Sequence, residues 1–356
     1  MIPYFIILVL VVALALLAEK AKRNNIIHNF YVVILFLVLV LFAGLRDLSV
    51  GSDTNMYANR FERLPLDFFS LMNQNTRIEL GYRLIEYIGL LFSSNYVVIL
   101  IITSLITVFF QLKGIYKIST LPAVSIFVLI TFGIYTYVFN GARQALAAAI
   151  YVFAIYYLVK GNFKKYALWV FIAFFFHKSV IIGLPLYFLF RKNFNTRLLI
   201  TFIIGTVLTI VFFKLVMQYV SLFNTQYALY QDIEAKGAVY LTLAYVLLSS
   251  FFIIMRPKIK QIHKKPYDVY LNMFLFGTIV YITVFFTGAY VEMTRIGFYF
   301  ILSVLFIWPL IFKNLKQNEV IIPFIFFTLV HALFFFIFIE RMGNLTPYIL
   351  NINIFN

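Results

Sequence analysis

A histidine and a lysine, His177 and Lys178, stand side by side between two strongly apolar runs of this sequence. Ionisable side chains inside an apolar stretch are costly to bury in a membrane, so they usually mark a functional site. Histidine exchanges protons near neutral pH, which makes His177 a candidate general base or hydrogen-bond donor. Lys178 is a candidate phosphate contact. The alternative is a buried structural histidine paired to a backbone carbonyl.

An arginine opens another apolar stretch, in the sequence Asn140-Gly141-Ala142-Arg143-Gln144. The free N–H groups and the dipole at a helix start favour an anion, and an arginine adds a positive charge there. Arg143 is therefore a candidate phosphate ligand, with Asn140 and Gln144 as polar neighbours. The alternative is an interfacial arginine whose head group reaches out to water.

A third group of polar residues lies at 44–57, directly after an apolar run, in the sequence GLRDLSVGSDTNMY. Arg46 and Asp47 are adjacent charges at a membrane boundary, where a charge without a partner is expensive. Asp53 and Thr54 are typical N-cap residues and predict a helix that starts here. An ordinary capped loop helix would give the same pattern. The candidate substrate ligands of this group are Arg46, Asp47, Thr54 and Tyr57, and Asp53 is a candidate catalytic residue.

Two further groups occur late in the chain. Glu292 and Arg295 lie three residues apart where an apolar run begins, so they are either substrate ligands or an ion pair on one helix face. Tyr348 ends the polar segment Asn344-Leu345-Thr346-Pro347-Tyr348 in the C-terminal tail, and we include it among the substrate ligands.

Other signatures of catalysis are absent from the sequence. It contains no Walker A loop, no GxSxG or HExxH motif and no soluble domain with a DxD-type metal site. There are no cysteines, and the four histidines have no metal-ligand spacing. We therefore predict no cofactor and no protein-bound metal; a divalent cation carried on a phosphate ligand is the alternative. The pattern argues against an ATP-driven machine and against an enzyme that uses a cytoplasmic nucleotide sugar.

The composition assigns these residues to a membrane protein. Of the 356 residues, 63% are hydrophobic and 12% are charged, whereas a soluble protein is roughly half apolar and about a quarter charged. Mean hydropathy is +0.97. Because a spanning helix needs about 20 apolar residues, we predict an all-α polytopic protein with one membrane domain over 1–356. The ten predicted spans are 2–18, 28–45, 95–112, 121–138, 140–159, 198–219, 238–255, 269–287, 296–312 and 320–339.

The basic clusters predict how these spans are oriented. All of the clusters between spans can be cytoplasmic at once if the N-terminus is outside, as the positive-inside rule requires. Residues 46–94 then form an extracytoplasmic loop. Residues 163–190 lie between two basic clusters and are too short for two crossings, so they predict a re-entrant pair of helices with its break at His177 and Lys178. The alternative is a single tilted span.

Arginine and lysine are distributed unequally between the two predicted sides. On the outside, or within the membrane, 8 of 11 basic residues are arginine, against 4 of 18 inside. Arginine is the better residue for bidentate binding of phosphate or carboxylate. The bias indicates an anionic ligand handled from outside, unless these arginines pair with the acidic residues of the same side.

Five of these segments together resemble the EpsG/Wzy-type family of polysaccharide polymerases. They are GLRDLSVGSDTNMY, FNGARQALAAAI, FFFHKS followed by Gly183-Leu184-Pro185, TRIGFYF and the late TPY, and they span about residues 40 to 350. The resemblance implies a GT-C-like membrane glycosyltransferase in the bacterial inner membrane, with its active site facing the periplasm or cell exterior. Donor and acceptor would both be undecaprenyl-pyrophosphate-linked oligosaccharides. The product would be O-antigen, capsular or exopolysaccharide, and a chain-length regulator is a possible partner; no nucleic acid is expected.

The resemblance also suggests roles for the candidate residues. Arg143 and Arg295 would bind the donor pyrophosphate, with Arg46 in support, and His177 or Asp53 would activate the acceptor hydroxyl.

Other activities remain as alternatives. An O-antigen ligase would use the same donor, a flippase would bind without turnover, and an acyltransferase would take its donor from the cytoplasm. A structural subunit would not need eight outside arginines.

Overall fold

The computed structural model describes residues 1–221, 236–287 and 291–351, and in these ranges the chain is helical. The chain divides into two compact units. Unit 1 comprises 1–157, 162–181 and 316–356; unit 2 comprises 158–161 and 182–315. The prediction of a single membrane domain stays a prediction.

Unit 1 contains the first nine helices and the last one. Helices α1, α2, α6 and α7 pack against one another, α16 packs on α7, and α3 and α5 pack on α6. The bounds are α1 Ile2–Lys20, α2 Asn25–Gly44, α3 Thr54–Glu62, α4 Phe68–Met72, α5 Leu80–Leu90, α6 Tyr96–Ile118, α7 Pro122–Thr131, α8 Ala142–Lys160, α9 Phe163–Phe174 and α16 Ile321–Arg341.

Unit 2 is built around α13, which contacts every other helix of this unit. Buried Asp268 of α13 accepts two hydrogen bonds from Arg256, at 2.7 and 2.9 Å, and one from the backbone N–H of Phe194. This pairing satisfies a charge that would otherwise be buried alone. The bounds are α10 Gly183–Phe190, α11 Thr196–Ser221, α12 Lys236–Met255, α13 Gln261–Thr287, α14 Val291–Ile301 and α15 Val304–Asn314.

The prediction of an all-α polytopic membrane protein is confirmed. Within the described residues, nine helical segments are long and apolar enough to cross a membrane. They correspond to nine of the ten predicted spans, and the tenth, 198–219, falls on α11. Two of the predicted spans are interrupted. Gly133, with φ of +69°, ends α7 before a 3₁₀ turn, and α14 and α15 are separated at residues 302–303.

The predicted pair of short helices at 163–190 is present. Helix α9 ends at Phe174, a 3₁₀ turn runs over Lys178–Ile182, and α10 follows. Pro185 lies in the first turn of α10, where its missing N–H needs no helical partner. His177 and Lys178 therefore lie at an interruption of the helix, as predicted, and the alternative of a single tilted span stays open. That the two helices meet inside the membrane stays a prediction.

The segment between α2 and α3 is held by the C-terminal tail. The backbone N–H of Asp47 donates to Ile349 at 2.9 Å, and that of Asn351 donates to Leu45 at 2.8 Å. A little further on, Gly51 donates to the carbonyl of Asn344 at 2.8 Å. This tail clasp joins the two ends of unit 1 and explains how residues near 50 and near 345 come together.

Candidate functional site

Glu79 lies at the centre of a buried cluster of charged side chains in unit 1. Only 8% of its surface is exposed. One carboxylate oxygen accepts a hydrogen bond from Arg143 Nη1, and the other lies 3.3 Å from His177 Nδ1. The backbone N–H of Lys178 donates to the latter oxygen at 3.4 Å. Three predicted site residues, Arg143, His177 and Lys178, thus meet on one carboxylate.

Arg143 is held by three acceptors and keeps one nitrogen available. Its Nε donates to the hydroxyl of Tyr57 at 3.2 Å, and its Nη1 donates to Glu79 and to the carbonyl of Arg77 at 3.1 Å. In the described part of the chain, its Nη2 has no hydrogen-bond partner. Arg143 is thus bonded to protein groups, and both its phosphate role and the alternative of an interfacial arginine stay predictions.

His177 is oriented by the same carboxylate. Its Nδ1 faces Glu79 at an ion-pair distance without the alignment of a good hydrogen bond. A carboxylate beside Nδ1 favours the proton on that nitrogen and leaves the lone pair of Nε2 to accept a proton. An imidazole that lies beside a carboxylate in this way can act as a general base.

The ionisation of Glu79 depends on its neighbours. Burial opposes the charged form, but His177 and Arg143 outweigh burial and lower the pKa of Glu79 from 4.5 to about 2. The carboxylate is therefore charged at any physiological pH, and it balances the positive charge of Arg143.

The lowered pKa of Glu79 predicts a stability effect in acid. Its contribution is fully present above about pH 4.5 and is lost as the pH falls toward about 2, on the order of 3 kcal/mol in total. Glu79→Gln cannot titrate, so the purified variant should lose less stability in acid than the natural protein. Thermal unfolding in detergent between about pH 5 and pH 3 measures this, with exposed Glu62→Gln as the control. Parallel curves for Glu79→Gln and the natural protein would contradict the prediction.

A glycine brings Glu79 and His177 together. The N–H of Gly81 donates to the carbonyl of Phe175 at 2.8 Å, which docks the start of α5 onto the interruption after α9. A Cβ on Gly81 would lie 2.7 Å from that carbonyl oxygen and 3.0 Å from the ring of Phe176. Only glycine permits this approach.

Gly81→Ala should therefore separate α5 from the 175–177 segment. We expect a loss of about 1–3 kcal/mol in stability and a loss of activity, because Glu79 would move away from His177. The matched control is Gly205→Ala in α11, where a Cβ would meet no atom within 4 Å. Thermal unfolding measures the loss of stability, and the length of surface polysaccharide, the product that the resemblance implies, measures the loss of activity. Equal behaviour of the two variants would show that the α5–α9 approach is dispensable.

A second group of predicted residues lies at the tail clasp. Asn140 accepts from the backbone N–H of Ser52 at 2.8 Å, and the Ser52 hydroxyl donates to half-buried Asp53 at 3.0 Å. The predicted helix begins at Thr54 as expected, but Asp53 makes no capping hydrogen bond. Tyr348 donates to the carbonyl of Phe42 at 2.6 Å.

Arg46 is the most deeply placed of the predicted arginines, with 2% of its surface exposed. It donates to Thr54 at 3.0 Å and to the carbonyl of Ala43, and its guanidinium lies 4.4 Å from the centre of the Phe139 ring. Its partners are all protein groups. Asp47 points elsewhere and accepts from Ser49 at 2.9 and 2.7 Å.

The remaining predicted residues are dispersed. Gln144 accepts from the hydroxyl of Tyr137 at 2.7 Å, and the side chain of Lys178 is exposed. Arg295 lies on α14 in unit 2, and the side chain of Glu292 lies outside the described residues. The substrate roles of all these residues stay predictions. Two of the predicted outside arginines have acidic partners: Arg143 pairs with Glu79, and Arg60 pairs with Glu86 at 2.8 Å. For these two, the alternative that outside arginines pair with acidic residues of the same side describes the contacts.

Glu79 itself is the residue that the sequence reasoning left out of the site. The only signal was its position at the head of Glu79-Leu80-Gly81-Tyr82-Arg83, before an amphipathic helix. Nothing in the spacing connects this segment with residues 143 or 177. Their proximity depends on the docking of α5 against α9.

Comparison with known proteins agrees with the sequence resemblance. A family model described as the EpsG family matches residues 29–350, which is most of the chain. No curated protein and no solved structure matches it. The match covers both units and all the segments on which the resemblance was based.

Proposed function

Because the chain belongs to the EpsG family, we propose that it is a membrane glycosyltransferase that polymerises lipid-linked oligosaccharide repeat units at the extracytoplasmic face. Family membership supports a function of the polysaccharide-polymerase type. The proposed donor and acceptor are undecaprenyl-pyrophosphate-linked oligosaccharides, and the product is O-antigen, capsular or exopolysaccharide. The observation that carries the proposal is that Arg143 and His177 both contact the buried carboxylate of Glu79.

Arg143 is the proposed ligand of the donor pyrophosphate. Its Nε and Nη1 are held by Tyr57, Glu79 and the Arg77 carbonyl, so the guanidinium is oriented before the donor arrives. Its Nη2 then donates to a phosphate oxygen. A fixed cation at this point stabilises the charge that develops on the leaving group, which is often the largest electrostatic contribution to catalysis. Exposed Lys178, whose backbone N–H donates to Glu79, is a further proposed phosphate contact.

His177 is the proposed base. The acceptor hydroxyl gives its proton to Nε2 of His177, and the hydroxyl oxygen forms a bond to the anomeric carbon of the donor sugar. The bond between that carbon and the pyrophosphate oxygen breaks, and lipid pyrophosphate leaves with the electron pair. Glu79 stabilises the imidazolium that results. No nucleotide is consumed, because the glycosyl pyrophosphate bond already carries the energy.

The other candidates have supporting roles in this proposal. Asp53 stays the alternative base, and Arg295 a second pyrophosphate ligand. Arg46, buried and bonded to Thr54, supports the site through α3, since the same helix carries Tyr57. Gln144, Thr54 and Tyr57 would position the sugars. The further proposed substrate ligands are Asp47, Asn140, Glu292 and Tyr348.

The test is a gel of surface polysaccharide from a deletion strain complemented with this gene. We expect a single-repeat band in the deletion that becomes a ladder on complementation. If the deletion removes every surface repeat, including the single one, a flippase or ligase is the better assignment. Purified protein with synthetic lipid-linked repeats then distinguishes polymerisation from transfer to another acceptor.

A further inference from the structure

Helix α5 has an apolar edge that faces away from the protein. Leu80, Leu84, Ile88 and Leu91 recur at intervals that place them in one line along the helix, and each is between 40% and 66% exposed. The opposite face of the helix is already occupied, since Tyr82, Ile85 and Glu86 are buried against the rest of unit 1. An exposed line of four large apolar residues, three on one short helix and the fourth, Leu91, directly after it, indicates an interaction surface.

The apolar edge of α5 continues onto neighbouring segments. Because Gly81 is hydrogen-bonded to Phe175, the start of α5 lies beside the end of α9, where Phe171 and Phe175 are also exposed. On the other side, Phe68 of α4 packs edge-on against Tyr87 of α5 at 4.9 Å, and the adjacent Phe69 is exposed. Exposed apolar side chains therefore occur on α4, on α5 and at the end of α9, which lie next to one another.

Cations lie at one end of this surface. Arg77 and Lys178 are both exposed, and each contributes a backbone group to the Arg143–Glu79 cluster at the start of α5. Exposed basic residues next to an apolar edge are typical of helices that lie at the level of phospholipid headgroups. In a chain with many membrane-spanning helices, this combination favours a lipid surface as the occupant of the apolar edge.

We propose that α5 lies in the membrane interface, with its Leu80–Leu91 edge inserted into lipid and its start at the level of the headgroups. The segment 46–94, expected from sequence to be an extracytoplasmic loop, would then be partly embedded. Glu79 precedes the first residue of α5, so the candidate site would lie at the depth where the phosphates of lipids are found. The inference concerns where a helix sits and does not depend on the proposed reaction.

The natural absence of cysteine allows a direct test with single-cysteine variants. Leu84→Cys and Ile88→Cys would each carry a nitroxide label, in protein reconstituted into phosphatidylcholine–phosphatidylglycerol nanodiscs. The matched control is Asn59→Cys on α3, an exposed polar position in the same loop. Power saturation compares access of oxygen, which concentrates in lipid, with access of a water-soluble nickel chelate.

We expect the labels at 84 and 88 to have high oxygen access and little nickel access, and the label at 59 the reverse. Nickel access at 84 and 88 equal to that at 59 would place the edge in water and overturn the proposal. Dipolar broadening that disappears on dilution with unlabelled protein would show a second copy of the chain on the edge, and would also overturn it. Neither measurement uses substrate, so failure here is separate from failure of the proposed activity.

Discussion

Replacing Arg143 with glutamine is expected to abolish polymer while the protein still reaches the membrane. The substitution removes the charge that we assign to the donor pyrophosphate, and the loss of one such electrostatic contact typically lowers turnover by about 10²–10³-fold. A ladder of polymer should therefore collapse to the single-repeat band. Surface polysaccharide gels, together with immunoblots of the membrane fraction, measure both parts of this result.

Two further variants separate catalysis from folding. Arg143→Gln leaves Glu79 without its cationic partner, which by itself could destabilise the protein. Arg143→Lys keeps a positive charge near Glu79 but lacks the planar fork that holds Tyr57 and a phosphate together, so polymer should still be lost. The control is Arg63→Gln, which changes an exposed arginine of the predicted 46–94 loop and should leave polymer length unchanged. Normal ladders from Arg143→Gln would remove Arg143 from the site.

Replacing His177 with alanine should reduce polymerisation by about 10²–10⁴-fold, the usual contribution of a general base. The Nε2 that accepts the proton would be gone, whereas Arg143 and Glu79 would remain paired. The rate is best measured with purified protein and synthetic lipid-linked repeats, so that small residual activities can be quantified. Donor binding, measured separately, should change little.

The role of Glu79 follows from combining the two substitutions. If Glu79 acts by orienting His177, then Glu79→Gln should lower the rate in the natural background and have little further effect in a His177→Ala background. The control is His28→Ala, because His28 has a different partner, the carbonyl oxygen of Ala18 at 2.9 Å. Fully additive losses would mean that Glu79 and His177 act independently, and Asp53 would then be the better candidate for the base.

Unit 1 illustrates how much of the site sequence could predict. The interruption at His177 and Lys178 followed from apolar runs bounded by basic clusters, and Arg143 followed from its place at a helix start. Both are local signals, since each depends on residues within about one helix length. Glu79 had no comparable signal, because a carboxylate in a loop becomes part of a site only through residues that pack against it.

The sequence by itself determined the class of the protein. Composition and the spacing of apolar runs were enough for an all-helical polytopic membrane protein, because hydrophobic length is a local property that the bilayer requires of every span. The EpsG resemblance rested on short motifs in their order along the chain, and the family match over 29–350 confirmed it.

Only the tertiary structure decided which of the candidate residues meet. Glu79 reaches His177 because Gly81 lets α5 approach the carbonyl of Phe175, and Arg143 reaches Glu79 because Tyr57 and the Arg77 carbonyl hold its guanidinium. These contacts join residues that are far apart in the chain, and their geometry depends on how helices pack. Hydrophobic periodicity specifies which face of a helix is buried but not which neighbour covers it. The contacts of Glu79 with His177 and Arg143 could therefore not be predicted from the sequence.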